Sequence, residues 1–237
     1  MKNSQTQSPK GNNDLWIRGV IRIIFGGVFV AIPIFWAAGT LDWTQGWVFV
    51  ALLVSTFGIT TGSMLLKNPE LMRHRWKRQD NTKPFDKVFG LFYLLTLIIM
   101  LVLPGLDVVR YGWTQMPSSL VAVGAGLHCL GLVPVLWTMM ANPHLETTVR
   151  IQEDRGHQVI TDGPYRFVRH PMYVGILPIF LGWPLILGST AALAAWALFV
   201  VLFFIRTALE DRMLRNELPG YEDFCQKTRY RLVPGLW

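Results

Sequence analysis

The chain reads as an all-α integral membrane protein of about six transmembrane helices, the last two forming a short helical hairpin. Three observations predict it. Of its 237 residues 51% are hydrophobic and only 16% are charged, well under the roughly 25% of a soluble domain. Mean hydropathy is +0.35, and the apolar residues lie in blocks close to the ~20 residues that cross a hydrocarbon layer. Basic residues fill alternate connections between those blocks, as expected of a chain that weaves through a bilayer.

Residues 1–14 open the chain with a tract rich in Ser, Gln and Asn, read as a disordered cytoplasmic tail without the apolar core of a secretory signal. A four-helix membrane region follows over 15–140. Its spans are predicted at Gly19–Ala38, Gly46–Leu66, Val88–Val109 and Leu120–Met140, each long enough to cross. Gly26-Gly27 suits close helix packing, as do Gly58, Gly62, Ala122, Gly124 and Gly126. His128 is the one ionisable residue deep in a span, where a hydrogen bond to a neighbouring helix is the expected role. Trp16, Trp36, Trp43 and Trp47 fall at span boundaries, where indoles concentrate.

The remaining stretch, 141–237, holds a polar loop and then two shorter spans, Met172–Leu187 and Ala191–Ile205, joined by Gly188-Ser189-Thr190. Pro178 and Pro184 interrupt backbone bonding in the first of these. The sequences 148–151 and 158–160 carry β-branched residues on either side of Asp154-Arg155-Gly156, a pattern that predicts a small β-hairpin. The last helical pattern continues past its apolar block to Glu217 and stops at Pro219-Gly220. Arg206, Glu210, Met213 and Glu217 then share one helix face. Such a face is either a salt-bridged helix end or a seat for an ammonium and a carboxylate together.

All but Arg110 of the 22 lysines and arginines fall on one side of a six-span topology, which places both termini and the long loops in the cytoplasm of a bacterial-type inner or other cell membrane. The net charge of +7 follows from that bias and calls for anionic headgroups, with no nucleic-acid partner. Cys129 and Cys225 occupy different environments and form no disulfide, and the five histidines lack the spacing of a metal site.

The richest stretch joins the polar loop to the fifth span: Gly163-Pro-Tyr-Arg-Phe-Val-Arg-His-Pro-Met-Tyr-Val-Gly175. It is followed by Arg206-x-x-x-Glu210-Asp211, then Gly220-Tyr221, then Arg229-Tyr-Arg-Leu-Val-Pro234. In that order these motifs resemble the isoprenylcysteine carboxyl methyltransferase family, within a wider group that includes phospholipid N-methyltransferases. The resemblance covers about 142–237. It implies a cytoplasmic C-terminal region that binds S-adenosyl-L-methionine and a lipophilic acceptor arriving from the bilayer, either a prenylcysteine-like carboxylate or a lipid amine. It further implies that Arg169, His170, Pro171, Tyr173, Gly175 and Tyr165 line the cofactor pocket with Glu210 and Asp211. Asp211 stands where the family usually has a second Glu. From the chemistry of methyl transfer, Arg206, Glu210 and Arg169 are the candidate catalytic residues, Arg206 or Arg169 orienting a carboxylate acceptor and Glu210 or His170 taking a proton from an amine. Asn142 and Glu146 lie close enough in sequence to join them. Two other classes remain open: a sterol-reductase-like enzyme using a reduced nicotinamide, which shares an Arg-His-x-x-Tyr-x-Gly pattern, and a non-catalytic membrane protein.

Overall fold

The computed structural model describes residues 10–76 and 82–237. Among them all regular structure is helical: α1 (Lys10–Ala38), α2 (Thr44–Lys67), α3 (Pro69–Arg75), α4 (Pro84–Pro104), α5 (Ser119–Ala141), α6 (Pro171–Leu187), α7 (Thr190–Glu217) and α8 (Tyr221–Lys227). Five helices are long and apolar enough to cross a membrane: α1, α2, α4 with its extension to Arg110, α5 and α7. The first part of the expected tail lies outside the described residues. From Lys10 onward the chain is helical rather than disordered, so α1 starts well before Gly19.

Each expected span appears, with two corrections. The sixth span is not short: it is the first part of the 28-residue α7, whose apolar block and polar continuation form one helix ending at Glu217. Only α6, with 17 residues, is short, and it runs unbroken through Pro178 and Pro184. Its far turn still lies level with the end of α4. There Ser189 donates to the Asp107 carboxylate at 2.6 Å and accepts from the Ala192 amide at 3.1 Å, capping α7. Thr114 donates to the same Asp107 oxygen at 2.6 Å. Asp107 sits in one turn of π-helix, Gly105–Arg110, that prolongs α4. Gly105 is required there, because a Cβ would stand 2.7 Å from the Ala38 nitrogen and the Ile34 oxygen of α1.

The second correction concerns the loop. No strand pairs 148–151 with 158–160; residues Glu153–Arg155 form a 3-10 turn closed by Gly156 at φ 58°. Side chains take over the bonding that a ladder would have supplied. Arg150 bridges Glu146 at 2.7 Å and Asp154 at 2.8 Å, and Gln152 bonds the His144 carbonyl and the Arg155 guanidinium.

The α5–α6 crossing carries the site. Gly131 and Gly124 on α5 oppose Gly175 and Gly182 on α6, two glycine pairs seven residues apart. A Cβ on Gly131 would come within 2.5 Å of the Gly175 oxygen, and one on Gly182 equally near the Gly124 oxygen. Backbone-to-backbone approach of this kind replaces the hydrophobic driving force that lipid cannot supply. Gly26 and Gly27 likewise meet Phe57 and Val54 of α2, whereas Gly58, Gly62 and Gly126 have no neighbour within 4 Å. His128 bonds Thr56 of α2 across 2.8 Å, the helix-to-helix role expected of it. Below the site Phe180, Phe199 and Phe203 stack at 4.2–4.5 Å, and Tyr93 of α4 packs on Phe199 and Phe203. The outward face of α1, including Ile24, Phe25, Phe29 and Ile32, is open to lipid.

Candidate active site

Pro171 starts α6 without an orphan amide to satisfy, which leaves Arg169 and His170 just outside the helix. That segment is clasped by the C-terminal tract. The amides of Arg169 and His170 donate to the carbonyls of Tyr230 and Arg231 at 2.9 and 3.0 Å. The tract folds back over the bundle, with Trp237 stacked on Phe204 at 4.8 Å and Arg231 over the Trp237 ring at 4.9 Å.

Two consecutive acids of α7 face different ways, as helical periodicity requires. Asp211 is fully buried. It accepts from Arg169 Nε at 2.7 Å, Arg231 Nε at 3.0 Å, the Tyr221 hydroxyl at 3.1 Å and Arg215 Nε at 3.3 Å. Arg169 is nearly as buried and spends Nη1 on the carbonyls of Thr228 and Arg229. A buried charge survives only when partnered in this way. Asp211 with Arg169 is therefore a knot that ties α6, α7, α8 and the C-terminal tract. Burial and the nearby Asp211 carboxylate push the Tyr221 phenol well above its ordinary range, so it stays a donor.

Glu210, one residue earlier, opens instead onto a cavity of about 390 Å³ at the same end of the bundle. Tyr173 donates to Glu210 Oε2 at 2.6 Å, and its ring lies parallel to His170 at 5.7 Å. His170 Nδ1 stands 4.0 Å from Glu210, and Nε2 stands 3.6 Å from Asp211. Arg206, one turn back on α7, lies over the rings of Phe89 at 4.5 Å and Tyr173 at 5.4 Å. Tyr165 closes another wall; its hydroxyl accepts from Asn142 Nδ2 at 2.7 Å, and burial drives its phenol pKa upward.

Of the residues singled out in the sequence, Arg169, His170, Pro171, Tyr173, Tyr165, Arg206 and Glu210 all border this cavity, as do Asn142 and Glu146. Two do not. Gly175 is turned toward Gly131 of α5, so its lack of a side chain serves helix approach rather than a pocket wall. Asp211 lies behind the wall, in the knot. The second position of the acidic pair accordingly has a structural task, for which the shorter Asp reach suffices.

Sequence reasoning missed several lining residues. Asp86, in the first turn of α4, forms an ion pair with Arg206 at 2.9 Å and accepts the Val149 amide at 2.8 Å. A carboxylate inside the mouth of an apolar span was the available signal. The loop supplies His144 and His157, their rings 4.9 Å apart. Burial, with the neighbouring His144 second, lowers His157 to about 4, and burial lowers His144 too, so both imidazoles are neutral at pH 7. Buried polar atoms of Thr148 (Oγ1), His144 (Nδ1) and His170 (Nε2) lack a hydrogen-bond partner among the described residues and border the cavity. A polar ligand would satisfy them. The cavity thus offers an acid, a paired guanidinium, aromatic faces and orphaned polar atoms, which fits a small zwitterionic nucleoside. No cluster of His, Cys, Asp and Glu that could hold a metal occurs among the described residues.

Residues 119–218 match the phospholipid methyltransferase family. A protein-S-isoprenylcysteine O-methyltransferase of Schizosaccharomyces pombe is 32% identical over 106 residues, 44% of this chain and 45% of the relative. A Delta(14)-sterol reductase of Mus musculus is 29% identical over 105 residues, 41% of this chain and 24% of the reductase. The chain spans less than half the length of these curated relatives. The solved structure of a eukaryotic intramembrane Ras methyltransferase, isoprenylcysteine carboxyl methyltransferase, superposes with a TM-score of 0.58 at 16% identity, covering 98% of this chain and 88% of that one. At that identity the likeness establishes a shared fold.

Proposed function

We propose that this chain, which is similar to the phospholipid methyltransferase family over residues 119–218 and shares the fold of an isoprenylcysteine carboxyl methyltransferase, transfers a methyl group from S-adenosyl-L-methionine to a lipophilic acceptor. The observation that carries this reading is the convergence of His170, Tyr173 and Glu210 on one cavity beside Arg206. When bound, the donor supplies an electrophilic methyl on a sulfonium. Glu210, held by the Tyr173 hydroxyl, is the counter-charge for a cationic part of the donor, and His170 and Tyr173 offer a stacked aromatic wall beside it. Thr148 and His144 supply polar atoms that lack internal partners. Arg169 acts through the wall: its guanidinium holds the C-terminal tract whose next carbonyls accept the Arg169 and His170 amides.

The acceptor meets the donor beside Arg206. A carboxylate acceptor is already ionised at neutral pH: its oxygen bonds to the methyl carbon as the S–C bond breaks, the electron pair remains on sulfur, and no proton moves. The products are a methyl ester and a neutral thioether. Arg206 is then the residue that orients the acceptor, aligned by the rings of Phe89 and Tyr173. An amine acceptor would require a proton to be removed, by Glu210 or His170. The lipophilic part of either acceptor reaches the cavity from the bilayer, past the apolar side chains Phe89, Tyr93, Ile176 and Phe203. The basic residues gathered at this end of the bundle favour the cytoplasmic face for the cavity.

The likeness to a sterol reductase makes a reduced nicotinamide the competing ligand. Calorimetry on the detergent-purified protein decides between them. Selective binding of S-adenosyl-L-methionine, lost in Glu210→Ala and His170→Ala while the protein remains folded, supports the proposal. Binding of NADPH in its place overturns it. Incubation of membranes with labelled methyl donor then identifies the acceptor fraction.

A further inference from the structure

Asp86 enters the cavity from α4, far in sequence from the motifs at 163–175 and 206–211. Its side chain is 3% exposed; the Val149 amide bonds Oδ2, and Oδ1 faces Arg206 Nε at 2.9 Å as an ion pair without hydrogen-bond alignment. The Lys83 amide returns a bond to the Val149 carbonyl at 3.1 Å, so loop and helix start are fastened twice at this point. Arg206 is thus paired electrostatically on its Nε side and flanked by two rings, while Nη2 touches the Thr147 carbonyl at 3.3 Å. Its Nη edge is the part left for a ligand. Resting on the proposed methyl transfer, the structure assigns Asp86 a positioning role: it aims the Nη edge of Arg206 at a carboxylate acceptor and offsets part of the guanidinium charge.

The offset has a chemical purpose. A carboxylate loses its negative charge as it takes the methyl, so any attraction to a cation that exists before reaction is given up in the transition state. An uncompensated guanidinium in a poorly solvated cavity would bind the acceptor tightly and slow its attack. With Asp86 alongside, Arg206 retains direction and donates hydrogen bonds while exerting a weaker field. Replacement of Asp86 should therefore tighten acceptor binding and lower turnover, whereas loss of a merely structural residue would loosen binding.

The test uses the full chain in detergent with N-acetyl-S-farnesylcysteine as a carboxylate probe, farnesylamine as a cationic one, and S-adenosyl-L-methionine measured separately. Asp86→Asn retains an oxygen for the Val149 amide. In this variant the carboxylate probe should bind about tenfold tighter, farnesylamine should bind more weakly, and maximal methylation should fall about tenfold. Affinity for S-adenosyl-L-methionine, whose counter-charge is Glu210, should change less than that of farnesylamine. Asp86→Glu, which keeps the charge, should restore wild-type affinity within about twofold, and Arg206→Gln should weaken the carboxylate probe. If Asp86→Asn does not fold, Asp86→Thr serves, its hydroxyl accepting the same amide. Carboxylate binding that is unchanged or weaker in the neutral variants, or absent in the wild type, overturns the inference. Failure of the wild type to bind S-adenosyl-L-methionine instead overturns the reading on which it rests.

Discussion

At the residue scale, Glu210 and Asp211 show how adjacent acids divide into unlike tasks. One faces a cavity and bonds a tyrosine; the other is buried beneath arginines. Asp211→Asn removes the charge that Arg169, Arg231 and Arg215 surround, and stranding a buried pair costs about 3–5 kcal/mol. We expect a marked drop in thermal stability in detergent, with the C-terminal tract exchanging amide hydrogen faster. Glu210→Gln should leave the melting temperature nearly unchanged and weaken donor binding instead. The motif at 163–175 was legible as a site because polar residues rarely border an apolar span without a task. The roles of Gly175 and Asp211 were not, since sequence spacing does not tell which side of a helix meets a neighbouring helix and which meets a cavity.

At the scale of elements, the α5–α6 seam and the loop above it make separate predictions. Gly131→Ala places a methyl against the Gly175 carbonyl and should lower the melting temperature, and Gly131→Leu should prevent assembly. Gly126→Ala, with no neighbour within 4 Å, should be neutral or mildly stabilising. The loop carries a pH dependence. His157 has a folded-state pKa of about 4 against an ordinary 6.5, so between those values the unfolded chain binds a proton that the folded loop excludes. Stability is greatest above pH 6.5 and declines as the pH falls toward 4. Hydrogen exchange across 142–160 should accelerate over that interval, and His157→Gln should flatten the response. The β-hairpin expected here was a reasonable reading of β-branched residues, but Arg150 and Gln152 bond their own loop so fully that no ladder is needed. Helix positions, by contrast, were readable because apolar blocks and their breakers are written directly into the chain.

For the whole molecule, hydropathy disclosed the order of the apolar helices, of which five are long enough to cross and α6 is short, while the start of α6 is fixed by the C-terminal tract that clasps it. The charge bias favours an orientation that labelling can check. A single cysteine introduced at Lys87 should react with an impermeant maleimide only from the cytoplasmic side, and one at Tyr111 only from the opposite side, in a background lacking Cys129 and Cys225. Reaction with the reverse sidedness would move the cavity to the other face.

Asp107 receives hydroxyls from Thr114 and Ser189, so the distal corner of the α6–α7 pair is riveted to α4. A bundle riveted at one end has a fulcrum there. Whatever breathing admits and discharges molecules must then grow in amplitude with distance from the rivet, like the jaws of tweezers. Spin labels near Lys87 and Leu209 should report a spread of separations that a pair near Tyr111 and Thr190 does not.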